Sequence, residues 1–209
     1  MIAPRAFGGD LAIQSGVGTL VLMTTTGLAL AIYNINRLQI DQHRAWMLRT
    51  WFYFGSILTL RLIFILGTLI ISKMDRYRLA MECAKIDYIM QDPNSTLSQY
   101  PDCVSYYDGS DPGKFAIVQA KFSGSGPQVA ASLDMNFGMA MWLALLLHAV
   151  GVEIYLQLTP REAQRLRQVS YEKQPEAGFK NPGSAGLTAD RLGDAEPWKP
   201  LKSSDSKSD

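Results

Sequence analysis

Cysteine and histidine are scarce in this chain: there are two of each in 209 residues. Cys83 and Cys103 are too few for a disulfide-dense scaffold. They also exclude a Cys-only zinc site within one chain, which takes four thiolates. Excess charge of either sign is missing as well. The formal charge is +1, whereas a nucleic-acid binder usually carries a strongly basic surface, so no nucleic-acid partner is expected. There is no Ser/His/Asp arrangement, Gly-rich phosphate loop or Asp-rich diphosphate motif, and "FGGD" and "GSGPQ" are too short to count as one. The first fifteen residues hold no continuous apolar run. A cleaved signal peptide of ordinary form is therefore not expected, and the first long apolar run would serve as a signal-anchor.

What the sequence has is three long apolar blocks, at 16–35, 50–72 and 136–158. A helix crossing a bilayer needs about 20 mainly apolar residues. Soluble helices of this length normally show a polar face, and the first two blocks lack one. The expected fold is all-α: an integral membrane helical bundle with three transmembrane helices and a disulfide-stapled external loop. The membrane domain covers 1–158, with the loop at 73–135. Thr159-Pro160-Arg161-Glu162 reads as a helix start with a capping box. It opens a basic cytoplasmic helix at 159–173, whose arginines suit anionic lipid. The Pro/Gly/Ser-rich segment 174–209 is expected to be disordered.

Arg37, Arg44 and Arg49 fall between the first two blocks, and Arg161, Arg165 and Arg167 follow the third. Lys/Arg excess marks the cytoplasmic side. The C-terminus is thus expected in the cytoplasm and the 73–135 loop in the lumen or outside, in a secretory-pathway or plasma membrane. Lys73, Arg76 and Arg78 count against this. Two features of the loop count for it. Asn94-Ser95-Thr96 is a glycosylation sequon, and Cys83 and Cys103 would pair in an oxidising compartment. Closing that loop is worth roughly 3 kcal/mol in the chain-entropy account. Within the loop, "KFAIVQAKF" alternates weakly, as a short strand does. Tyr88, Tyr100, Tyr106 and Tyr107 are candidates to cover the outer mouth of the bundle.

Polar residues inside the blocks need explaining. Arg61 stands near the middle of the second, where a cation costs about 2.5–3.5 kcal/mol on insertion scales. It lies about 16 Å from Thr50 along the axis. His148 lies about 15 Å from the end of the third block, so the two match in depth and are expected to meet, directly or through water or a ligand. His148 also continues a small-residue stripe of Ala140, Ala144 and Gly151. Glu153 matches Arg49 in depth, and such a pair would lock the second and third spans together. Arg61, His148 and Glu153 are the candidates for chemistry. In a catalytic reading His148 or Glu153 is the acid or base and Arg61 stabilises an anion. His43 and His148 are separated by about 20 Å of depth and cannot share one haem, so haem would need histidines from outside this chain. No metal site is expected.

The segment from Gln42 to Leu62 resembles the His-Arg-x-Trp-Met-x-Arg … Leu-Arg-Leu core of a family of bacterial and fungal multi-pass membrane proteins of unknown function. The matching residues are His43, Arg44, Trp46, Met47, Arg49 and Arg61. "HAVGVEIYLQLTP" and "NPGSAGLTADRLGDAE" are similar to fungal members. The resemblance implies further helices before this segment, with another histidine among them, and hence a shortened start at Met1. A three-span unit would then be incomplete or would form a homo-oligomer. Three functions stay open. One is a buried Arg/His site for a small molecule, proton or electron. The second is a membrane enzyme acting on a lipophilic metabolite. The third is a structural or assembly subunit in the lipid bilayer.

Overall fold

The computed structural model describes residues 10–200. The serine-rich end of the tail, 201–209, and all but the last residue of "FGGD" lie outside the described residues. The described residues are mainly helical, and three helices among them are long and apolar enough to cross a membrane. These are α1 (Leu11–Asn36), α2 (Ile40–Ser72) and α6 (Gly126–Leu158). Each runs past its apolar block because polar residues continue it. α2 begins ten residues before Thr50, through the His43–Arg49 motif. α6 begins at the Ser-Gly-Pro-Gln turn, where Gln128 Oε1 accepts from the Ser125 N–H at 3.0 Å, one half of a capping box. In α1, Thr24 and Thr25 donate to the carbonyls of Leu20 and Val21 at 2.8 and 2.6 Å, which satisfies hydroxyls that an apolar surround would leave stranded.

The chain divides into two compact units. The first comprises residues up to Gly18 together with Ser56–Leu145. It contains the segment between α2 and α6, which is more structured than its turn-rich composition suggests. β1 (Arg78–Glu82) and β2 (Phe115–Gln119) pair antiparallel with Ala80 opposite Ile117. β2 falls within the stretch that alternates in sequence. Its Ala116 and Val118 point inward, while Phe115 and Ile117 are exposed. Between the strands lie α3 (Cys83–Met90), α4 (Pro93–Gln99) and α5 (Val104–Tyr107). Cys83 and Cys103 form the disulfide, both fully buried against Met81, Ile86, Tyr100, Ala116 and Val118. Of the four tyrosines, Tyr100 joins this core, Tyr107 donates to Asp87, Tyr106 packs edge-on against Tyr107, and Tyr88 is exposed. Lys85 pairs with Asp134 at 2.5 Å and ties α3 to α6. Asn136 donates to Thr68 at 3.3 Å and ties α6 to α2.

The second unit comprises Thr19–Gly55 and the residues from Leu146 onward. Its α1–α2 connection is a three-residue turn. Leu38 stands at φ 52°, and the Gln39 N–H returns to the Asn34 carbonyl at 2.9 Å. This is a Schellman closure with leucine where glycine is usual, a conformation costing on the order of 1 kcal/mol for an L residue. The turn is held from outside by the segment that composition reads as disordered, and here the expectation is corrected. After α7 (Pro160–Lys173) the chain to Pro200 folds back, with a short α8 (Ala189–Leu192). Gln174, fully buried, donates to the carbonyls of Arg37 and Leu38 at 3.0 and 3.2 Å. Its own carbonyl accepts from Gly183 N–H at 2.7 Å. Gln39 Oε1 accepts from Gly186 N–H at 3.0 Å, and Asn34 Oδ1 from Leu187 N–H at 2.8 Å. A segment too polar to build an apolar core is therefore ordered by amide groups it meets across the turn.

Gly186 is required for that approach: a Cβ there would stand 2.4 Å from Gln39 Cβ. Arg167 completes the latch, donating to the Gly183 carbonyl at 2.8 Å and pairing with Asp190 at 2.7 Å. A second correction concerns Thr159. It precedes α7 but does not cap it, because its hydroxyl turns back to the Tyr155 carbonyl at 3.0 Å. Glu162 pairs with Arg165 instead of closing a capping box. Ser170 of α7 serves a different helix start, its Oγ accepting from the Ile40 N–H at 2.8 Å.

Burial raises the Asp190 carboxyl, but hydrogen bonds from Ser184, Arg167 and the Trp198 N–H outweigh it and hold it well below the usual carboxylate range. A depressed carboxylate contributes stability that is present above its unfolded pKa and is lost as pH falls through its folded one. Limited proteolysis of the 175–200 segment should therefore be slow at neutral pH and stay slow down to about pH 4, rising only in stronger acid. Gly186→Ala should raise the neutral-pH cutting rate several-fold, and Asp190→Asn should both raise it and remove the acid step.

Candidate functional site

The polar residues of the His43–Arg49 motif are spread around one stretch of helix, and its pitch decides where each points. His43, Trp46 and Thr50 recur at three- and four-residue spacing and share a face of α2. That face meets α1. His43 Nδ1 lies 2.9 Å from the Ala31 carbonyl, so the tautomer with a proton on Nδ1 makes the bond. Thr50 donates to the Trp46 carbonyl at 2.9 Å. Opposite Thr50 is Gly27, where a Cβ would come within 2.5 Å of its hydroxyl oxygen. Glycine is what lets α1 lie this close.

The adjoining face of α2 meets α6. Arg49 and Glu153 form a bidentate pair, Nε to Oε1 at 2.7 Å and Nη2 to Oε2 at 2.9 Å. The guanidinium also lies over the Trp46 ring, 4.7 Å from its centroid. One turn further, Phe52 stacks on Tyr155 with centroids 6.3 Å apart and meets His148 edge-on at 6.0 Å. Arg44 lies over the Tyr155 ring at 5.8 Å and donates to Thr159 at 3.4 Å. Met47 is half-buried on the same helix.

This geometry constrains the chemistry. Both Glu153 oxygens accept from one guanidinium, so the carboxylate is neutralised and has no oxygen aimed elsewhere. The side chain is 47% exposed against 21% for Arg49, so the pair sits at the edge of its unit and not in its core. Glu153 is five residues from the end of α6, about 8 Å along the axis, close to where a span meets water. His148 is half-buried beside Phe52. It and Glu153 lie about 140° apart around α6 and do not converge.

Arg61 belongs to the first unit and His148 to the second. Within its own unit Arg61 is exposed, on the α2 face that also exposes Leu58, Leu62 and Ile65. No group of three or more His, Cys, Asp or Glu residues suited to a metal ion occurs among the described residues. Asn94 is exposed near the start of α4. Asp92 caps that helix, accepting from the Asn94 and Ser95 N–H groups at 3.2 Å each. Hydrogen bonds from the Ser95 hydroxyl and these two amides hold its carboxyl below the usual range.

Sequence reasoning missed the buried amides Asn34, Gln39 and Gln174. Their signal was available in part: uncharged polar residues flank both sides of a tight turn, and a Gly-Ser-Ala-Gly run can approach them closely. Compared with protein-family profiles, characterised proteins and solved structures, the chain matches none.

Proposed function

We propose that this chain is a non-catalytic subunit of an integral membrane assembly. Its polar motif holds its own helices in register. The observation that carries this reading is the use made of the motif's polar side chains. His43 meets a carbonyl of α1, Arg44 meets Thr159, and Arg49 is taken up by both oxygens of Glu153. A Glu153 engaged in this way is a tie and not a general base, which needs an oxygen within reach of the proton it takes.

The same reading includes a topology. The buried disulfide and the exposed Asn94 of the sequon belong to one structured segment between α2 and α6. Both features suit an oxidising, glycosylating compartment. The positive-inside rule places the α1–α2 turn and α7 on the cytoplasmic side. In eukaryotic cells the wild type should lose one glycan's mass on glycosidase treatment, and Asn94→Gln should already run at that lower mass. An unglycosylated Asn94 together with cytosolic labelling of an epitope in this segment would refute the topology.

The non-catalytic role predicts that apolar replacement of the pair is tolerated, since a well-packed apolar pair can substitute for an ion pair. The double variant Arg49→Met, Glu153→Leu should elute as the wild type does and keep the same co-purifying proteins in native mass spectrometry. A small molecule held by the wild type and lost from the folded double variant would show a ligand site there instead.

A further inference from the structure

Arg61 lies ten residues after Trp51, where the apolar part of α2 begins, and eleven before Ser72, where α2 ends. At 1.5 Å per residue it is about 15 Å from either limit, half the thickness of a hydrocarbon core. A guanidinium side chain is much shorter than that distance, and a cation there costs about 2.5–3.5 kcal/mol on insertion scales. Yet Arg61 is exposed, and its neighbours one turn away, Leu58 and Ile65, are exposed with it. Among the described residues of its unit it makes no hydrogen bond or ion pair, whereas Lys85 in the same unit is paired. A cation at that depth almost always has a partner, and the described residues of its unit supply none.

A concavity continues the same face. Beginning one turn beyond Arg61, Phe64, Ile65, Thr68 and Leu69 of α2 line a cavity of about 180 Å³ with Phe122 and Leu133. Thr68 donates its proton to the Phe64 carbonyl at 2.8 Å, so the cavity suits an apolar side chain.

We propose that this face of α2 is the docking surface for another transmembrane helix that carries an aspartate or glutamate at mid-span. Its carboxylate pairs with Arg61, and a large apolar side chain one to two turns away fills the cavity. The inference deepens the assembly reading by giving the partner's chemistry. A second copy of this chain does not supply that partner. Glu153 is the one carboxylate within 16–35, 50–72 and 136–158, and Arg49 already occupies it.

The test is site-specific photocrosslinking in native membranes, with a diazirine amino acid at Leu58 of the full chain and the adducts sequenced by mass spectrometry. The expected adduct is a transmembrane segment containing Asp or Glu. Arg61→Leu should reduce it at least about tenfold and Arg61→Lys much less. Arg61→Glu combined with Arg in place of the captured carboxylate should restore it. Arg61→Leu replaces an exposed charge by an apolar residue, and an unchanged circular dichroism spectrum verifies its fold. The proposal is overturned by adducts to lipid alone, to a second copy of this chain, or to a helix whose capture is indifferent to Arg61. The Arg49/Glu153 double variant leaves this face untouched, so each result stands apart from the other.

Discussion

The bidentate pair between Arg49 and Glu153 fixes how α2 and α6 meet in the second unit. The pair sits at the edge of its unit, and its two parallel hydrogen bonds fix the geometry as well as the charge. Once Arg49 and Glu153 are joined, Trp46 has a cation over its ring and Phe52 is opposite Tyr155. Arg44 is then within reach of Thr159. The other face of the same stretch carries His43 and Thr50, which set the distance to α1 through Ala31 and Gly27. One segment of α2 thereby registers both of its neighbours within this unit.

Polar satisfaction also explains the parts that have no apolar core. The α1–α2 turn leaves carbonyls at Arg37 and Leu38 and an N–H at Ile40 that the helices themselves do not use. Gln174 and Ser170 supply the missing partners. In return, the backbone of the Gly183–Leu187 stretch is satisfied by Gln39, Gln174 and Asn34. This exchange orders the segment after α7, together with the packing of Trp198 on Tyr171 and Arg167.

The difference between what was legible in the sequence and what was not follows from range. Three apolar blocks are a local property, and all three become long helices. The Arg49–Glu153 pair was legible because depth along two antiparallel spans can be counted in residues. Cys83 and Cys103 were legible because no other cysteine exists. β1 was not, since "RLAME" becomes a strand by pairing with β2 more than thirty residues away. The fold of 175–200 was not, because its partners Asn34 and Gln39 lie about 150 residues earlier. The Thr159 capping box failed locally, because the preceding turn of α6 offered its hydroxyl a free carbonyl. Arg61 was legible as an anomaly, and its exposure on α2 adds which way it faces.

The central claim is that Arg49 and Glu153 act as one structural tie, and a double-mutant cycle on thermal or denaturant unfolding in lipid nanodiscs tests it directly. Arg49→Ala, Glu153→Ala and the double variant should show a coupling energy of about 0.5–1 kcal/mol, with the double variant less destabilised than the sum of the singles. A coupling near zero would contradict the account, because the two residues would then contribute independently and the pair would hold nothing together.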